Sequence, residues 1–283
     1  MADGSKKARI FDIQRGSAVD GPGLRTTVFF KGCNLKCEWC HNPEGQNFGK
    51  ELMFHRNRCT GCGACARLCP HQLNSCDLCG TCADFCPHGA REIIGQEMSA
   101  EEIYAIIQKD RVYYESSGGG VTFSGGECML QPDVLTELLM LCRQGKIHTA
   151  IDTAGCVPWK VFERVDPYTD LYLYDLKCAD EKLHIRYVGE SNKPILSNLR
   201  KLAEAAPNRI IVRIPVITGV NTAMVEMQEM ANILRGLKIR KVELLPYHKM
   251  GNHKFEALQM AYKAFDVPTA DDMERYRQLF ELN

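Results

Sequence analysis

Eleven of the fifteen cysteines fall into three groups within one short stretch of the chain, and their spacing is typical of iron–sulfur ligation. The first group has three cysteines, Cys33, Cys37 and Cys40. Two longer runs, residues 59–70 and 76–87, each read Cys-x-x-Cys-x-x-Cys-x-x-x-Cys-Pro. That run binds [4Fe–4S] clusters in bacterial ferredoxins. Three thiolates leave one iron of a cluster without a protein ligand, whereas eight are enough for two fully ligated clusters.

The two longer runs repeat with a period of 17 residues, from Cys59 to Cys76, in a segment without strand periodicity. We predict that residues 46–93 form a ferredoxin-like insert with two [4Fe–4S] clusters, stabilised by metal ligation because so short a segment has little core. In two-cluster ferredoxins the fourth cysteine of each run binds the other cluster. The alternative is that each run binds its own cluster. The crossed rule gives the ligand sets Cys59, Cys62, Cys65 and Cys86, and Cys76, Cys79, Cys82 and Cys69.

Outside the insert, apolar strand-like runs alternate with amphipathic helical runs. Ser99 and Glu102 form a capping box in front of the first helix. Six strand–helix units rich in Val, Ile and Leu predict an α/β fold with a parallel sheet, an open, partial TIM-like (β/α)6 barrel of residues 1–45 and 94–283. The three-cysteine group follows the first strand, on the side where barrel active sites are built. The predicted strands are residues 25–30, 121–124, 147–152, 171–176, 210–216 and 242–245, and the predicted helices are residues 99–108, 132–142, 158–164, 197–205, 224–234 and 271–282.

The charge balance and the cysteine usage limit the classes of partner and compartment. Lys and Arg number 35 together, as do Asp and Glu, and a neutral chain disfavours nucleic acid and anionic membranes. The basic residues 1–9 are not followed by an apolar stretch, and no apolar run reaches membrane length. Clustered cysteines favour reduced, metal-binding thiolates over disulfides. We therefore expect a monomeric cytoplasmic protein without a membrane or nucleic-acid partner.

The spacing of Cys33, Cys37 and Cys40, with Trp39 before the last cysteine, resembles the signature of the radical SAM superfamily. A structural zinc site is less favoured, because zinc takes four ligands and the eight nearby cysteines belong to the insert. Further motifs, which cover almost the whole chain, narrow the resemblance to the glycyl radical enzyme activating enzymes, as a pyruvate formate-lyase activating enzyme-like member with a two-cluster insert. The motifs are Val19-Asp20-Gly21-Pro22-Gly23-Leu24-Arg25, Cys40-His41-Asn42-Pro43, Ser124-Gly125-Gly126-Glu127, Asp152-Thr153-Ala154-Gly155, Asp175-Leu176-Lys177 and Leu245-Pro246-Tyr247-His248.

This resemblance implies an activity and its cofactors. A [4Fe–4S] cluster on Cys33, Cys37 and Cys40 would bind S-adenosylmethionine through its open iron, and one electron would split it into methionine and a 5′-deoxyadenosyl radical. That radical would take the Cα hydrogen from a glycine of a partner glycyl radical enzyme, which enters the cleft beside Asp20. Flavodoxin or ferredoxin would donate the electron. Together with the insert, the chain would hold three clusters.

The resemblance also assigns residues to S-adenosylmethionine. Trp39 and His41 would flank the adenine, and His248 would lie at the ribose. Gly126 would contact the amino group and Lys177 would face the carboxylate. Trp39 could instead be a core residue, and His248 an ordinary surface residue. The predicted cofactor-binding residues are Trp39, Cys40, His41, Gly126, Asp152, Thr153, Asp175, Leu176, Lys177, Arg213 and His248.

Three charged residues lie at or within apolar strands, where a charge needs a partner, water or a ligand. The resemblance places Asp152 and Asp175 beside the methionine moiety, with a monovalent cation. Asp152 could instead cap a helix N-terminus. Arg213 interrupts an apolar strand, and Glu243 on the next strand could pair with it.

Two other functions compete with an activating enzyme. A radical SAM enzyme could act on a small molecule or on RNA, but the chain has no basic, aromatic stripe for RNA. A ferredoxin-like electron carrier would explain the insert, but it needs neither six strand–helix units nor the three-cysteine group. We therefore predict a glycyl radical enzyme activating enzyme.

Overall fold

The structure is a computed structural model that describes residues 6–280. The start of the basic N-terminal segment, residues 1–5, and the end of the helix predicted over residues 271–282 lie outside the described residues. In the part described, no helix combines the length and the apolar character needed to cross a membrane.

One large sheet dominates the fold and a second, two-stranded sheet lies in the cysteine-rich segment. Over residues 6–280 the strands are β1 (Ala8–Ser17), β2 (Arg25–Phe30), β3 (Glu51–Phe54), β4 (Arg91–Ile94), β5 (Gln96–Met98), β6 (Gly120–Gly125), β7 (His148–Thr153), β8 (Leu171–Asp175), β9 (Ile210–Val216) and β10 (Lys241–Pro246). The α-helices of the same residues are α1 (Ala64–Leu68), α2 (Thr81–Asp84), α3 (Ala100–Ile107), α4 (Arg111–Ser117), α5 (Pro132–Gln144), α6 (Trp159–Val165), α7 (Glu181–Val188), α8 (Lys193–Ala205), α9 (Met224–Gly236), α10 (Asn252–Ala257) and α11 (Ala270–Phe280).

The large sheet has eight strands in the order β10-β9-β8-β7-β6-β2-β1-β5. The six strands from β2 to β10 in this row are parallel to their neighbours, and they are the six strands predicted from the sequence. β1 and β5 were not predicted, and they extend the sheet in antiparallel pairing. The predicted α/β fold with a parallel sheet is therefore confirmed, and the sheet is open, with β10 at one end and β5 at the other.

Local sequence signals explain where several helices begin. Ser99 and Glu102 form the predicted capping box at the start of α3. Pro132 and Pro194 lie in the first turns of α5 and α8, where the missing amide hydrogen has no helical partner to lose. Because of Pro194, α8 begins four residues before the predicted helix. Helices α4, α7 and α10 were not predicted.

The cysteine-rich segment has its own small framework. β3 and β4 pair antiparallel, from Glu51 with Ile94 to Phe54 with Arg91, so the segment begins and ends at one place. These strands were not predicted, because each has only four residues, too few for a periodic signal. The helices α1 and α2 each follow a glycine with a left-handed backbone, Gly63 (φ 71°) and Gly80 (φ 86°). The internal repeat is therefore also a structural repeat.

Candidate active site

A cavity of about 290 Å³ lies among the loops that follow the parallel strands. Such a position is typical of catalytic and ligand sites in parallel α/β folds. The cavity brings together predicted residues that are far apart in the sequence. It is lined by Asp20, Cys33, Cys37, Trp39, Cys40, His41, Gly126, Asp152, Thr153, Asp175, Lys177 and Arg213.

The three-cysteine loop is held to the next turn of the chain by backbone hydrogen bonds. The amide of Gly32 donates to the carbonyl of Gly45 (2.8 Å), and the amide of Cys33 donates to the carbonyl of Gln46 (3.1 Å). Burial raises the pKa of Cys33 and of Cys37 to about 12. A metal that binds these sulfurs must therefore displace protons.

The arrangement of the three cysteines fits a cluster better than a single metal ion. Over residues 6–280, no group of three or more His, Cys, Asp or Glu side chains is placed to hold a single metal ion. A [4Fe–4S] cluster makes a different demand, because each thiolate binds a different iron. Cys33, Cys37 and Cys40 all face the same cavity.

Two carboxylates and two cations meet on one wall of the cavity. Arg213 donates to Asp152 (Nη2 to Oδ1, 2.9 Å) and lies 3.6 Å from Asp175 (Nε to Oδ1). Lys177 donates to the other oxygen of Asp175 (2.8 Å). Ser124 donates to Asp152 (2.6 Å). Arg213 therefore pairs with these two aspartates rather than with Glu243, and the proposed strand-to-strand pair is corrected.

The protonation of the two aspartates differs because their partners differ. Burial raises the pKa of Asp152 to about 6, although Arg213 opposes this rise. Burial also acts on Asp175, yet Lys177 and Arg213 together hold the pKa of Asp175 below its usual value. The Oδ1 atom of Asp175 and the Nε atom of Arg213 are buried and form no hydrogen bond among the residues described. They face each other as an ion pair at 3.6 Å, so a ligand at this wall has to compete with that pair.

Gly126 and Glu127 hold the loop after β6 against two neighbouring loops. A Cβ atom at Gly126 would lie 2.3 Å from the carbonyl oxygens of Gly32 and Gly45, so only glycine allows this approach. Glu127 accepts hydrogen bonds from the hydroxyl of Thr153 (2.8 Å) and the amide of Ala154 (3.1 Å). Burial raises the pKa of Glu127 to about 7. Glu127 is thus a structural residue that ties β6 to β7.

Aromatic side chains form the opposite side of the cavity. The ring of His41 stacks on that of His248 with centroids 4.1 Å apart, and Tyr247 lies 5.9 Å from His41. Trp39 packs edge-on against Phe265 (6.3 Å). Trp39 is therefore a core residue and a cavity residue at the same time.

Several known proteins are similar to this chain in sequence or in fold. Residues 27–231 match the Radical SAM superfamily. The chain is 45% identical to the trans-4-hydroxy-L-proline dehydratase activating enzyme of Clostridioides difficile, over 96% of this chain and 95% of that protein. It is 39% identical to the choline trimethylamine-lyase activating enzyme of Oleidesulfovibrio alaskensis, over 96% and 94% of the two chains. The chain belongs to the glycyl radical enzyme activating enzymes of the radical SAM superfamily.

A solved structure supports the fold of the activating enzyme. A radical SAM methyltransferase from Sphaerobacter thermophilus superposes with a TM-score of 0.56 and 16% identity, covering 96% of this chain and 70% of that one. Members of this family use a [4Fe–4S] cluster and S-adenosylmethionine to place a radical on a glycine of a partner glycyl radical enzyme. The activating enzyme is thus a radical SAM oxidoreductase that acts on a protein.

Two predicted residues of the activating enzyme lie away from the cavity lining. Leu176 is buried in the main core, and its amide donates to the carbonyl of Arg213 (2.9 Å). His248 is exposed and contacts the site through His41, on which its ring stacks and whose Nε2 lies 3.1 Å from the His248 carbonyl oxygen. Asp152 caps no helix, because α6 begins at Trp159.

The structure adds residues that the sequence prediction omitted. Ser124, Gln46 and Tyr247 line the cavity of the activating enzyme. Ser124 and Tyr247 belong to quoted motifs, and a polar residue at a strand end would have been signal enough to include Ser124. Phe265 lies in a segment without a motif, so no sequence signal pointed to its contact with Trp39.

Proposed function

We propose that Cys33, Cys37 and Cys40 hold the cluster of this activating enzyme and that S-adenosylmethionine occupies the cavity beside them. The observation that carries this proposal is that one cavity joins the three cysteines to the charged wall of Asp152, Asp175, Lys177 and Arg213. Once bound, the cluster and S-adenosylmethionine supply the one-electron chemistry that removes a hydrogen atom from the glycine Cα.

The charged wall would orient the methionine end of S-adenosylmethionine. Lys177 and Arg213 line the cavity and would present positive charge to its carboxylate. Asp175, held ionised by its two cations, would attract a positive group. A monovalent cation beside Asp152 and Asp175 would have to share these carboxylates with Arg213.

The loop that contains Asp20 would admit the glycine of the partner enzyme. The Asp20 carboxylate is fixed by hydroxyl donors, Ser17 (2.6 Å) and Thr27 (2.8 Å). The adjacent Val19 is 79% exposed, so the loop is open to another protein. Gly21 has φ 119°, a backbone conformation that suits glycine.

In addition, we propose two clusters in the insert of residues 46–93, which with the barrel cluster makes three. A cavity of about 30 Å³, the insert cavity, has a lining that favours crossed ligation, because it includes the last cysteine of the second run and not the last of the first. Burial raises the pKa of the Cys82 thiol, and Cys76 and Cys69 contribute to the same rise, so these three lie near one another. The cysteines of the insert cavity are Cys59, Cys62, Cys65 and Cys86.

Paired cysteine substitutions test the crossed ligand sets. In Cys65→Ala/Cys86→Ala both changes fall in one set, so we expect the loss of about four irons per chain. In the matched control Cys65→Ala/Cys69→Ala they fall in different sets, so we expect the loss of about eight. The reverse result would show that each run binds its own cluster.

The proposal also covers the donor, the assembly and the location. Flavodoxin or ferredoxin would reduce the clusters of a monomeric protein in the cytoplasm, where fifteen cysteines stay reduced. The domains would be residues 46–93 for the insert and residues 1–45 and 94–283 for the barrel.

The partner enzyme is proposed to be a dehydratase or lyase with a glycyl radical, by analogy with the relatives named above. The test incubates the reduced protein and S-adenosylmethionine with a panel of glycyl radical enzymes of those classes. A glycyl doublet in the EPR spectrum of one partner is the expected result. Turnover of S-adenosylmethionine without a protein radical on any partner would contradict the proposal.

A further inference from the structure

Arg91 lies beside the cysteines of one proposed cluster site. It is the first residue of β4 and lines the insert cavity together with Cys86. The other cysteines of this cavity are Cys59, Cys62 and Cys65. One cation therefore faces all four cysteines of the first ligand set.

The side chain of Arg91 is fixed but incompletely satisfied. Its guanidinium carbon lies 4.7 Å from the centroid of the Phe54 ring, which holds it in place. Its Nε atom is buried and has no hydrogen-bond partner in the part of the chain described. The adjacent Glu92 is directed to His55 instead (3.4 Å). An N–H group left unpaired in this way is costly unless a ligand accepts its hydrogen bond.

The internal repeat shows that the insert does not need a cation at this position. With a period of 17 residues, the counterpart of Arg91 in the first run is Asn74. Asn74 is exposed and uncharged, and its amide donates to the carbonyl of His71 (2.9 Å). The two halves of the repeat thus share their cysteines and the glycine before each helix but not this charge, so the cation belongs to one ligand set only.

We propose that Arg91 raises the reduction potential of the cluster in the insert cavity. A cluster gains one negative charge when it is reduced, and a fixed cation in the wall of its cavity stabilises that state. Arg91 would then act through the cluster, by keeping its reduction potential within reach of the electron donor. This inference rests on the proposed function, that the insert binds two clusters.

The experiment is a reductive titration of the full chain. Cys37→Ala serves as the background, so that the EPR signals of reduced clusters come from the insert alone. Arg91→Gln, Arg91→Lys and the matched control Arg56→Gln, an exposed arginine of the insert, are reconstituted anaerobically. Iron and sulfide per chain are measured before each titration.

We expect all three variants to keep the iron of the background protein. At a fixed potential, Arg91→Gln should lower the ratio of reduced to oxidised cluster by about tenfold. Arg91→Lys, which keeps the charge, should change it less than about threefold, and Arg56→Gln should leave it unchanged. An Arg91→Gln protein with full iron and an unchanged titration would overturn the inference.

Two further results have separate meanings. Loss of iron in both Arg91 variants but not in Arg56→Gln would show that Arg91 holds the insert together, and the tuning role would be wrong. A background protein with no insert iron at all would instead refute the two insert clusters and hence the proposed function of the insert.

Discussion

The three-cysteine loop and the insert carry the same ligand chemistry in opposite settings. Cys33, Cys37 and Cys40 are partly buried, Cys33 and Cys37 pack against an apolar cluster that includes Leu35 and Trp39, and the neighbouring strands carry the charged wall. Four insert cysteines are exposed instead, and the insert has few buried apolar side chains, such as Met53 and Ala90. A core can position a site before its ligand arrives, whereas a segment with almost no core must be organised by the metal it binds.

The largest effect should come from the three-cysteine loop. Cys37→Ala removes one of only three thiolates, so we expect S-adenosylmethionine cleavage to be abolished while the insert keeps about eight irons. Analysis of the cleavage products checks the loss of activity, and iron determination checks that the insert keeps its iron. Cys142→Ala, in the core far from any ligand motif, is the control. Cleavage at an unchanged rate in Cys37→Ala would show that the three-cysteine loop does not hold the cluster that cleaves S-adenosylmethionine.

Iron removal should separate the two regions. When a chelator strips the metal, we expect amides of α1, α2, β3 and β4 to lose protection from hydrogen exchange by about tenfold or more, because ligation supplies most of the folding energy there. Amides of β6 to β9 should keep theirs. If the insert stays protected without iron, its small apolar framework is sufficient and the contrast with the barrel is wrong.

Arg213→Met should destabilise the barrel and leave the insert intact. It leaves the buried Asp152 and Asp175 without their shared cation, which we expect to cost about 3–5 kcal/mol of the free energy of unfolding. Denaturant unfolding measures this change. The control is Arg111→Met, which removes an exposed pair with Glu115 (2.8 Å) and should cost less than about 1 kcal/mol. If Arg213→Met and Arg111→Met lowered the free energy of unfolding equally, the charged wall would have to be solvated rather than buried.

The smallest effect concerns pH. Since the pKa of folded Glu127 is about 7 against an ordinary 4.5, the folded protein keeps a proton that the unfolded chain releases. This stabilisation is complete below pH 4.5 and is lost as the pH rises to 7, by about 3 kcal/mol. Glu127→Gln cannot titrate, so its stability should fall less over this range. If the free energy of unfolding of Glu127→Gln fell with pH as steeply as that of the unaltered protein, burial of Glu127 would not be the cause of the pH dependence.

The strands and the cysteines were predictable because both have strong local signals. Six apolar runs predicted the six parallel strands, and the carboxyl ends of parallel strands meet, which brings Cys33, Asp152 and Asp175 together. β1 escaped prediction although Ala8 and Ile10 alternate with exposed residues, because its short pattern does not reveal the antiparallel pairing with β2.

The partners of charged residues were not predictable in the same way. Glu243 and Asp175 are both neighbours of Arg213 in strand register. Arg213 pairs with Asp175 and also reaches Asp152, two strands away in the sheet. Which neighbour a side chain contacts depends on the space around the sheet, and no spacing in the sequence encodes that space. The contact of Phe265 with Trp39 is a similar case.

The strand pair β3–β4 has a consequence for how such a chain gains or loses a module. Glu51 and Ile94 are opposite each other in this antiparallel pair, which sets their Cα atoms only about 5 Å apart. The chain therefore leaves the barrel and returns to it at neighbouring positions. A tight turn could join these two positions without a change in the order of the other strands. The cysteine-rich segment could therefore be exchanged while the cavity among the parallel strands keeps its shape.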